Sequence, residues 1–562
     1  MSENPNRSDS ARVAGSGWAR PQAMRKDQNR TAWLVLFGLV CLGVATWGMF
    51  DSIYWKRRER MQRAVLDMAK RTSDSFVAIA YGGVTTNPEA GGDFVSTKKF
   101  ASQLDALTAA GYTPITLDDV ARFYKEGRRL PAKSLLITFE NSRRSSYFTT
   151  GSLLEKRRWH AVMGVVTDDV RKEVEGVILA PYLKHMKSSP TWELAAESDH
   201  GTGEVTASAD GRTAMFFSAP AWLSDLSRFE TSEEFNRRIR ADHAAAVSFF
   251  TNTIGCAARA FFFPMGNYGQ FEAHNRQLRE ANLKAVGDFY EMGFIIDGFG
   301  YNDALSDPRR LARLKVDPAW SADELVRILD GVWPREIPGG WNDSPKAGDV
   351  ERERWRAIWG ECMPAADSSS VYLRAKAPDD PVISDKGSTT GSKALVMGSN
   401  AFAEGSFEIK FRMEGGAFTV FLNYVAEDDA VMLTFGKDSS VILTRNRPER
   451  TTGERLAAEF LDSPIGTGRE HSLVLVMRNG ALFTMLDRRM LFGGGVSLGN
   501  PRPKPGFVGA GVWSGRPGEA EVEIVSARLR APLPRFAFWD AESMRDKTDV
   551  FAELERQAFR YD

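Results

Sequence analysis

The sequence predicts a multidomain chain with one transmembrane helix, an α/β domain and an antiparallel β-sandwich. Three observations predict it. An uncharged apolar run near the N-terminus is long enough to span a bilayer. Through the next part of the chain, short apolar runs alternate with helically spaced segments. Beyond about residue 369 the apolar period becomes two, with no helix between the runs. At 562 residues the chain is also too long for one hydrophobic core, so two or three domains are expected.

The run Thr31 to Phe50, TAWLVLFGLVCLGVATWGMF, carries no charge. At about 1.5 Å per residue, about 20 residues match the ~30 Å hydrocarbon core. Trp33 and Trp47 lie near its ends, where indoles favour the interface. Asp51 and the bulky, basic Tyr54-Trp55-Lys56-Arg57-Arg58 follow instead of a small-x-small cleavage site, which argues for an uncleaved anchor. Basic residues are nearly balanced on the two sides, so charge does not orient the span. A short Ser/Asn/Gly/Arg-rich tail (1–30) ahead of a long remainder points to a cytoplasmic tail and an exported bulk. A charged helical stalk is expected over 51–72.

Residues 73–335 form the expected α/β domain. Phe76–Tyr81, Ser134–Phe139, Ala161–Val166 and Ala258–Phe263 read as buried strands, and FASQLDALTAA (100–110) and 117–125 as helices. Such alternation implies a parallel sheet covered by helices, either an α/β barrel or a doubly wound sheet. A Pro/Gly/Trp-rich linker is expected over 336–368 and a sandwich over 369–530. In SFEIKFRM (406–413), Phe407, Ile409, Phe411 and Met413 share one face, and Asn479-Gly480 is a hairpin signal. Residues 531–562 read as a charged helical tail.

Composition narrows the function classes. Lys+Arg and Asp+Glu are both 73, so no basic field gathers nucleic acid. Three cysteines without C-x-x-C spacing give neither a disulfide framework nor a zinc ribbon, and Cys256 and Cys362 are expected as buried free thiols. Six histidines occur, none paired at ligand spacing.

Several segments of the α/β domain carry a family resemblance. They are Phe100-x-x-Gln103-Leu104, Ala109-Ala110-Gly111-Tyr112-Thr113-Pro114, Leu130 to Phe139, Phe263-Pro264-Met265-Gly266 and Asp307-Pro308-x-x-Leu311-x-Arg313. With them the domain resembles the polysaccharide deacetylase (NodB-homology) family. The resemblance implies a deformed β/α barrel and metal-assisted hydrolysis of an N-acetyl group. In that chemistry a divalent metal, zinc for example, polarises the acetyl carbonyl and activates water. The family's T-F-D-D-G is here Thr138-Phe139-Glu140-Asn141-Ser142. Glu140 would be the base, and Asn141 stands where the resemblance implies a metal-binding carboxylate. The early Y-H is Tyr81-Gly82. The H-S/T-x-x-H motif falls on Glu197 and Gly201, or, in a shifted register, on His200 and Glu204.

Two readings follow from these residues. One is a rearranged metal site from Glu140, Glu197, Asp199, His200 and Glu204. The other is a domain that keeps the fold and a saccharide groove without catalysis, in which no cofactor is expected. Trp192, Trp222, Tyr268 and Tyr290 are candidate stacking surfaces for sugar rings, and Arg143 with Arg144 a candidate contact for an anionic sugar. The sandwich resembles concanavalin-like (laminin-G-like) jelly rolls and lacks the paired carboxylates of a glycosidase. The expectation is an envelope pseudoenzyme of bacterial exopolysaccharide synthesis, anchored in the inner membrane with its domains periplasmic. It would bind or guide polysaccharide and meet other subunits of that machinery. The alternatives are an active divergent deacetylase and a structural scaffold.

Overall fold

The computed structural model describes residues 72–87, 92–269, 276–335, 349–365, 370–375, 390–450, 452–466, 468–514 and 518–530, with Leu36. All but Leu36 belong to the unit spanning 68–562. The expected tails, the stalk up to 71 and the anchor apart from Leu36 fall outside the described residues. Among the described residues no helix is long and apolar enough to cross a membrane.

Seven parallel strands close a barrel: β1 (Ser75–Tyr81), β2 (Ser134–Phe139), β3 (Ala161–Val166), β4 (Trp192–Ser198), β5 (Ala260–Phe262), β6 (Met292–Asp297) and β7 (Leu311–Lys315). Closure is settled at β1, which pairs with β2 (Tyr81 opposite Phe139) and with β7 (Leu314 opposite Ile79). Every residue of β1, β2 and β3 is buried, because one face lines the barrel and the other lies under helices.

The inward positions Phe76, Ala78, Leu136, Val162, Ala195, Ala260, Phe262 and Phe294 pack with Leu117, Val120 and Ala121 of the helix Leu117–Glu126, here α1, which closes the N-terminal end. A capping box at Thr116 and Asp119 starts α1, and Gly127 at φ 66° ends it. Outward positions such as Ile79, Ile137, Met163 and Phe261 form the layer under the other helices. Two of these matter below: α2 (Thr167–Arg171) and α3 (Ser232–Phe249).

The sandwich has two antiparallel sheets. In spatial order, one runs Trp355–Trp359, Thr390–Val396, Phe507–Ser514, Ala417–Ala426, Asp429–Phe435, Ser440–Asn446 and Glu454–Phe460. The other runs Glu361–Pro364, Val371–Arg374, Glu521–Arg530, Gly405–Glu414, His471–Arg478, Ala481–Leu486 and Arg489–Met490. Phe407, Ile409, Phe411 and Met413 all enter the core between them. Asn479 and Gly480 adopt φ 50° and 75°, the backbone a tight two-residue hairpin needs.

Three sequence expectations need correction. Part of the expected linker belongs to the sandwich, since Trp355–Trp359 pairs with Thr390–Val396 and Glu361–Pro364 with Val371–Arg374. A register shift between Ala357 and Trp359 breaks the alternation that would have marked the first of these. Strand β5 is shorter than expected, Ala260–Phe262, because Pro264 starts a turn. Cys256 and Cys362 are free thiols but only half-buried.

The outer face of the first sheet packs on the barrel's helical layer through Leu395, Met397, Phe421, Tyr424 and Phe507. Phe507 stacks on Phe299 with ring centres 4.4 Å apart. Beside it, Asp428 takes hydrogen bonds from Arg310 at 2.9 and 3.2 Å, and Arg310 also reaches the Tyr268 hydroxyl at 3.1 Å.

Candidate functional site

At the C-terminal end of a parallel barrel the last inward side chain of each strand faces the axis, which is where such folds place their chemistry. Here those positions include Glu140 after β2, Glu197 on β4 and Arg313 on β7. All three are buried. Arg313 Nη2 donates to Glu140 Oε1 at 3.1 Å, and Nη1 lies 3.3 Å from the Thr138 hydroxyl. The guanidinium stands 4.2 Å above the Phe262 ring. Glu197 Oε2 accepts the backbone N–H of Asn141 at 2.6 Å. It fits because β3 carries Gly164, where a Cβ would meet that same oxygen at 2.6 Å.

The loop after β2 is bent to make this contact. Asn141 and Ser142 both hold left-handed backbones, φ 61° and 50°, a strained state for residues with side chains. Ser142 is tied to β3 by its N–H to Gly164 O at 2.9 Å and by its Oγ accepting from the Val166 N–H at 2.8 Å.

Two carboxylates therefore share one guanidinium in a buried place. Burial first, then the nearby Glu140 charge, pushes the Glu197 carboxyl well above its ordinary value, which favours its protonated form. Burial lowers Arg313 from its ordinary value while the Glu140 charge opposes that shift.

The other predicted metal residues are not part of this cluster. Asp199 lies beyond the end of β4, where it takes hydrogen bonds from the Thr167 hydroxyl of α2 and from Arg171 at 2.6 and 2.8 Å. His200 Nδ1 is 2.8 Å from Asp199 Oδ2, and its Nε2 is 3.4 Å from Asp168. The backbone N–H groups of Asp199 and His200 both donate to Asp242 on α3. This second cluster is satisfied by arginine, hydroxyl and backbone donors. Glu204 sits on an exposed hairpin and takes a hydrogen bond from Thr213.

The sugar-stacking candidates need correction too. Trp192, Tyr268 and Tyr290 are buried, and Tyr268 lines a cavity whose walls do not include Glu140. Trp192 packs against Phe139 at 5.4 Å, Tyr268 against Phe263 at 5.7 Å and Tyr290 against Phe261 at 5.2 Å. Trp222 is half-buried and edge-on to Phe229. Arg143 is spent on the Gly82 carbonyl at 3.1 Å and on the face of Phe94.

A divalent metal needs about three charged or imidazole donors in fixed geometry. Among the described residues no three His, Cys, Asp or Glu side chains converge in that way. Asn141 offers a neutral amide where the resemblance implies a carboxylate, and Glu140 is engaged by Arg313. At Gly201 a Cβ would strike the Phe217 ring at 2.2 Å, so that position has no room for a ligand side chain. The residues present do not fit the metal of the resembled family.

Reasoning from sequence missed Arg313 as a partner of Glu140. Its signal was visible: an arginine enclosed by Leu311, Ala312 and Leu314 on an apolar strand must find a buried acid.

No family model matches the chain. Over 239 residues, 40% of the chain, it is 25% identical to the poly-beta-1,6-N-acetyl-D-glucosamine N-deacetylase of Escherichia coli O157:H7, and equally to that of strain K12. The chain spans about a third, 34%, of those relatives' length. Among solved structures it is similar to a de-N-acetylase from Aggregatibacter actinomycetemcomitans, with 18% identity, TM-score 0.41, 46% of this chain and 100% of that one covered. A deacetylase domain from Bordetella bronchiseptica matches with 19% identity, TM-score 0.38, and 44% and 98% covered. A carbohydrate binding module from Bacillus subtilis matches with 13% identity, TM-score 0.23, and 32% and 92% covered. Over part of its length, then, this chain is similar in sequence to polysaccharide N-deacetylases.

Proposed function

We propose that this chain is an inner-membrane-anchored envelope protein that binds or guides an exopolysaccharide without deacetylating it. The observation that carries this reading is the buried Arg313 guanidinium bonded to the buried Glu140. One oxygen of this carboxylate is held by a buried guanidinium, which ties the group to the barrel interior instead of leaving both oxygens open to water. The similarity to enzymes acting on poly-beta-1,6-N-acetyl-D-glucosamine supports a polymer of N-acetylated hexosamine as the ligand class. The apolar run at 31–50 supports the anchor, with the barrel and sandwich periplasmic.

Metal content and acetate release test this together. The purified full chain is expected to hold far less than one divalent metal per molecule, to release no acetate from the N-acetylated polymer, and still to bind that polymer. One metal per chain, with acetate release that Glu140→Gln abolishes, would overturn it. That outcome would establish the second reading, a divergent N-deacetylase, which the sequence similarity and the carboxylate at position 140 favour.

A further inference from the structure

A cavity of about 350 Å³ lies between the barrel and the sandwich, with Met265, Tyr268 and Leu305 on the barrel wall and Tyr424, Val425 and Phe507 on the sandwich wall. Its size is at the low end of small-ligand pockets, about 300–1,000 Å³, so it takes a few side chains and no folded partner. Met265, Leu305 and Val425 are 70%, 57% and 40% exposed, so atoms entering the cavity meet them directly. Single exposed apolar side chains are ordinary, but three on one cavity form a patch suited to an apolar occupant.

The chain itself runs to this place. At the end of the last sandwich strand, Glu521–Arg530, Arg530 pairs with Ser406. A Cβ at the neighbouring Gly405 would strike the Arg530 carbonyl and meet the Phe402 ring at 3.1 Å, so these three residues are in close contact. Phe402 O accepts the Gly506 N–H at 3.1 Å, and Gly506 stands on the cavity wall. From Phe402 to Gly405 the backbone spans about 11 Å at most, so Arg530 ends within about 20 Å of that wall. Six extended residues cover such a distance.

The residues that follow Arg530 match the cavity in chemistry. Residues 531–540, outside the described ones, read APLPRFAFWD, with Leu533, Phe536, Phe538 and Trp539 apolar and with Arg535 and Asp540 as the two charges. Pro532 and Pro534 reduce the entropy lost when such a segment is ordered. A segment tethered this close has an effective concentration on the order of millimolar, an advantage that neither a free ligand nor a second copy has.

We propose that this cavity is the docking site of the chain's own segment Phe536 to Trp539, whose aromatic side chains cover Met265, Leu305 and Val425 and strap the sandwich to the barrel. This docking does not depend on polysaccharide binding. Benzoylphenylalanine placed at position 305 of the full chain, irradiated and mapped by mass spectrometry, tests it. The expected product is a cross-link from 305 to residues 531–540 of the same chain. Its yield should be at least five times that from the same probe at Phe460, which is 70% exposed at the opposite end of the first sheet. Met265→Glu combined with Val425→Glu, both on exposed side chains, is expected to cut the yield from 305 at least five-fold. Phe538→Asp with Trp539→Asp is expected to do the same, and it carries the comparison if the glutamate variant does not fold. A cross-link to 531–540 of a second chain would make a second copy the occupant and overturn the proposal. So would the absence of any cross-link to 531–540, or a yield that the substitutions leave unchanged.

Discussion

Glu193 and Glu197 stand on the same inward face of β4, one at each end of the barrel, and both are pushed towards neutrality for different reasons. Glu193 faces the closed end, where its carboxylate accepts the Leu117 N–H at the start of α1 at 2.8 Å. Burial raises it to about 7, with that hydrogen bond pulling the other way. Glu197 faces the open end and also accepts one backbone N–H, but it has a competing carboxylate beside it. The difference teaches that burial alone raises a carboxyl whose backbone donor opposes it, and that a second acid beside it adds to that rise.

The largest expected effect breaks that division. Arg313→Met strands Glu140 in the interior and should lower stability by about 3–5 kcal/mol in denaturant titrations at pH 7. Adding Glu140→Gln should recover much of the loss, since the stranded charge is then gone. A loss below about 1 kcal/mol for the single change would mean that the ion pair is not buried as described.

The second effect is a pH dependence. Glu197 has a folded value of about 8, above its ordinary 4.5. The folded state therefore binds the proton more tightly than the unfolded chain. The resulting stability is fully present below about pH 4.5 and is lost as the pH climbs through 8. The loss should be on the order of 2–4 kcal/mol. Glu197→Gln should flatten the curve and exceed the unaltered protein above pH 8. A flat curve for the unaltered protein would rule this out.

Glu193→Gln sharpens the comparison at a smaller scale. Its amide oxygen can still accept the Leu117 N–H, so stability below pH 6 should change by about 1 kcal/mol or less. The part of the pH dependence that it removes should lie between about 4.5 and 7. Smallest of all is His200→Ala. That side chain is more than half exposed and should be worth within about 0.5 kcal/mol, with metal content unchanged.

How far the sequence foretold this molecule depends on where the information lies. β2 and β3 were legible to the residue, because a strand covered on both faces is a short apolar run stopped by polar residues. β6 was not, since Met292 to Asp297 follows a helical pattern without a break that periodicity can detect. Glu454–Phe460 was hidden for the opposite reason, as a charged, mostly solvent-facing edge strand. At the site, Glu140 could be located by motif, and the parity of β7 pointed Arg313 inward. That Glu197 would join them while Asp199 and His200 would not turns on where β4 ends, at Ser198, whose φ of 114° breaks the strand's alternation.

The packing of the sandwich on the barrel has a consequence for how the chain is made. Its first sheet is apolar on both faces, one built into the sandwich core and one covered by the barrel through residues such as Phe421 and Phe507. The barrel leaves the ribosome first and must wait, with Arg310 uncovered until Asp428 is made and Phe299 uncovered until Phe507 is made. Throughout that interval the nascent chain presents an adhesive patch. A truncation before the strand Phe507–Ser514 would leave Phe299 without its cover.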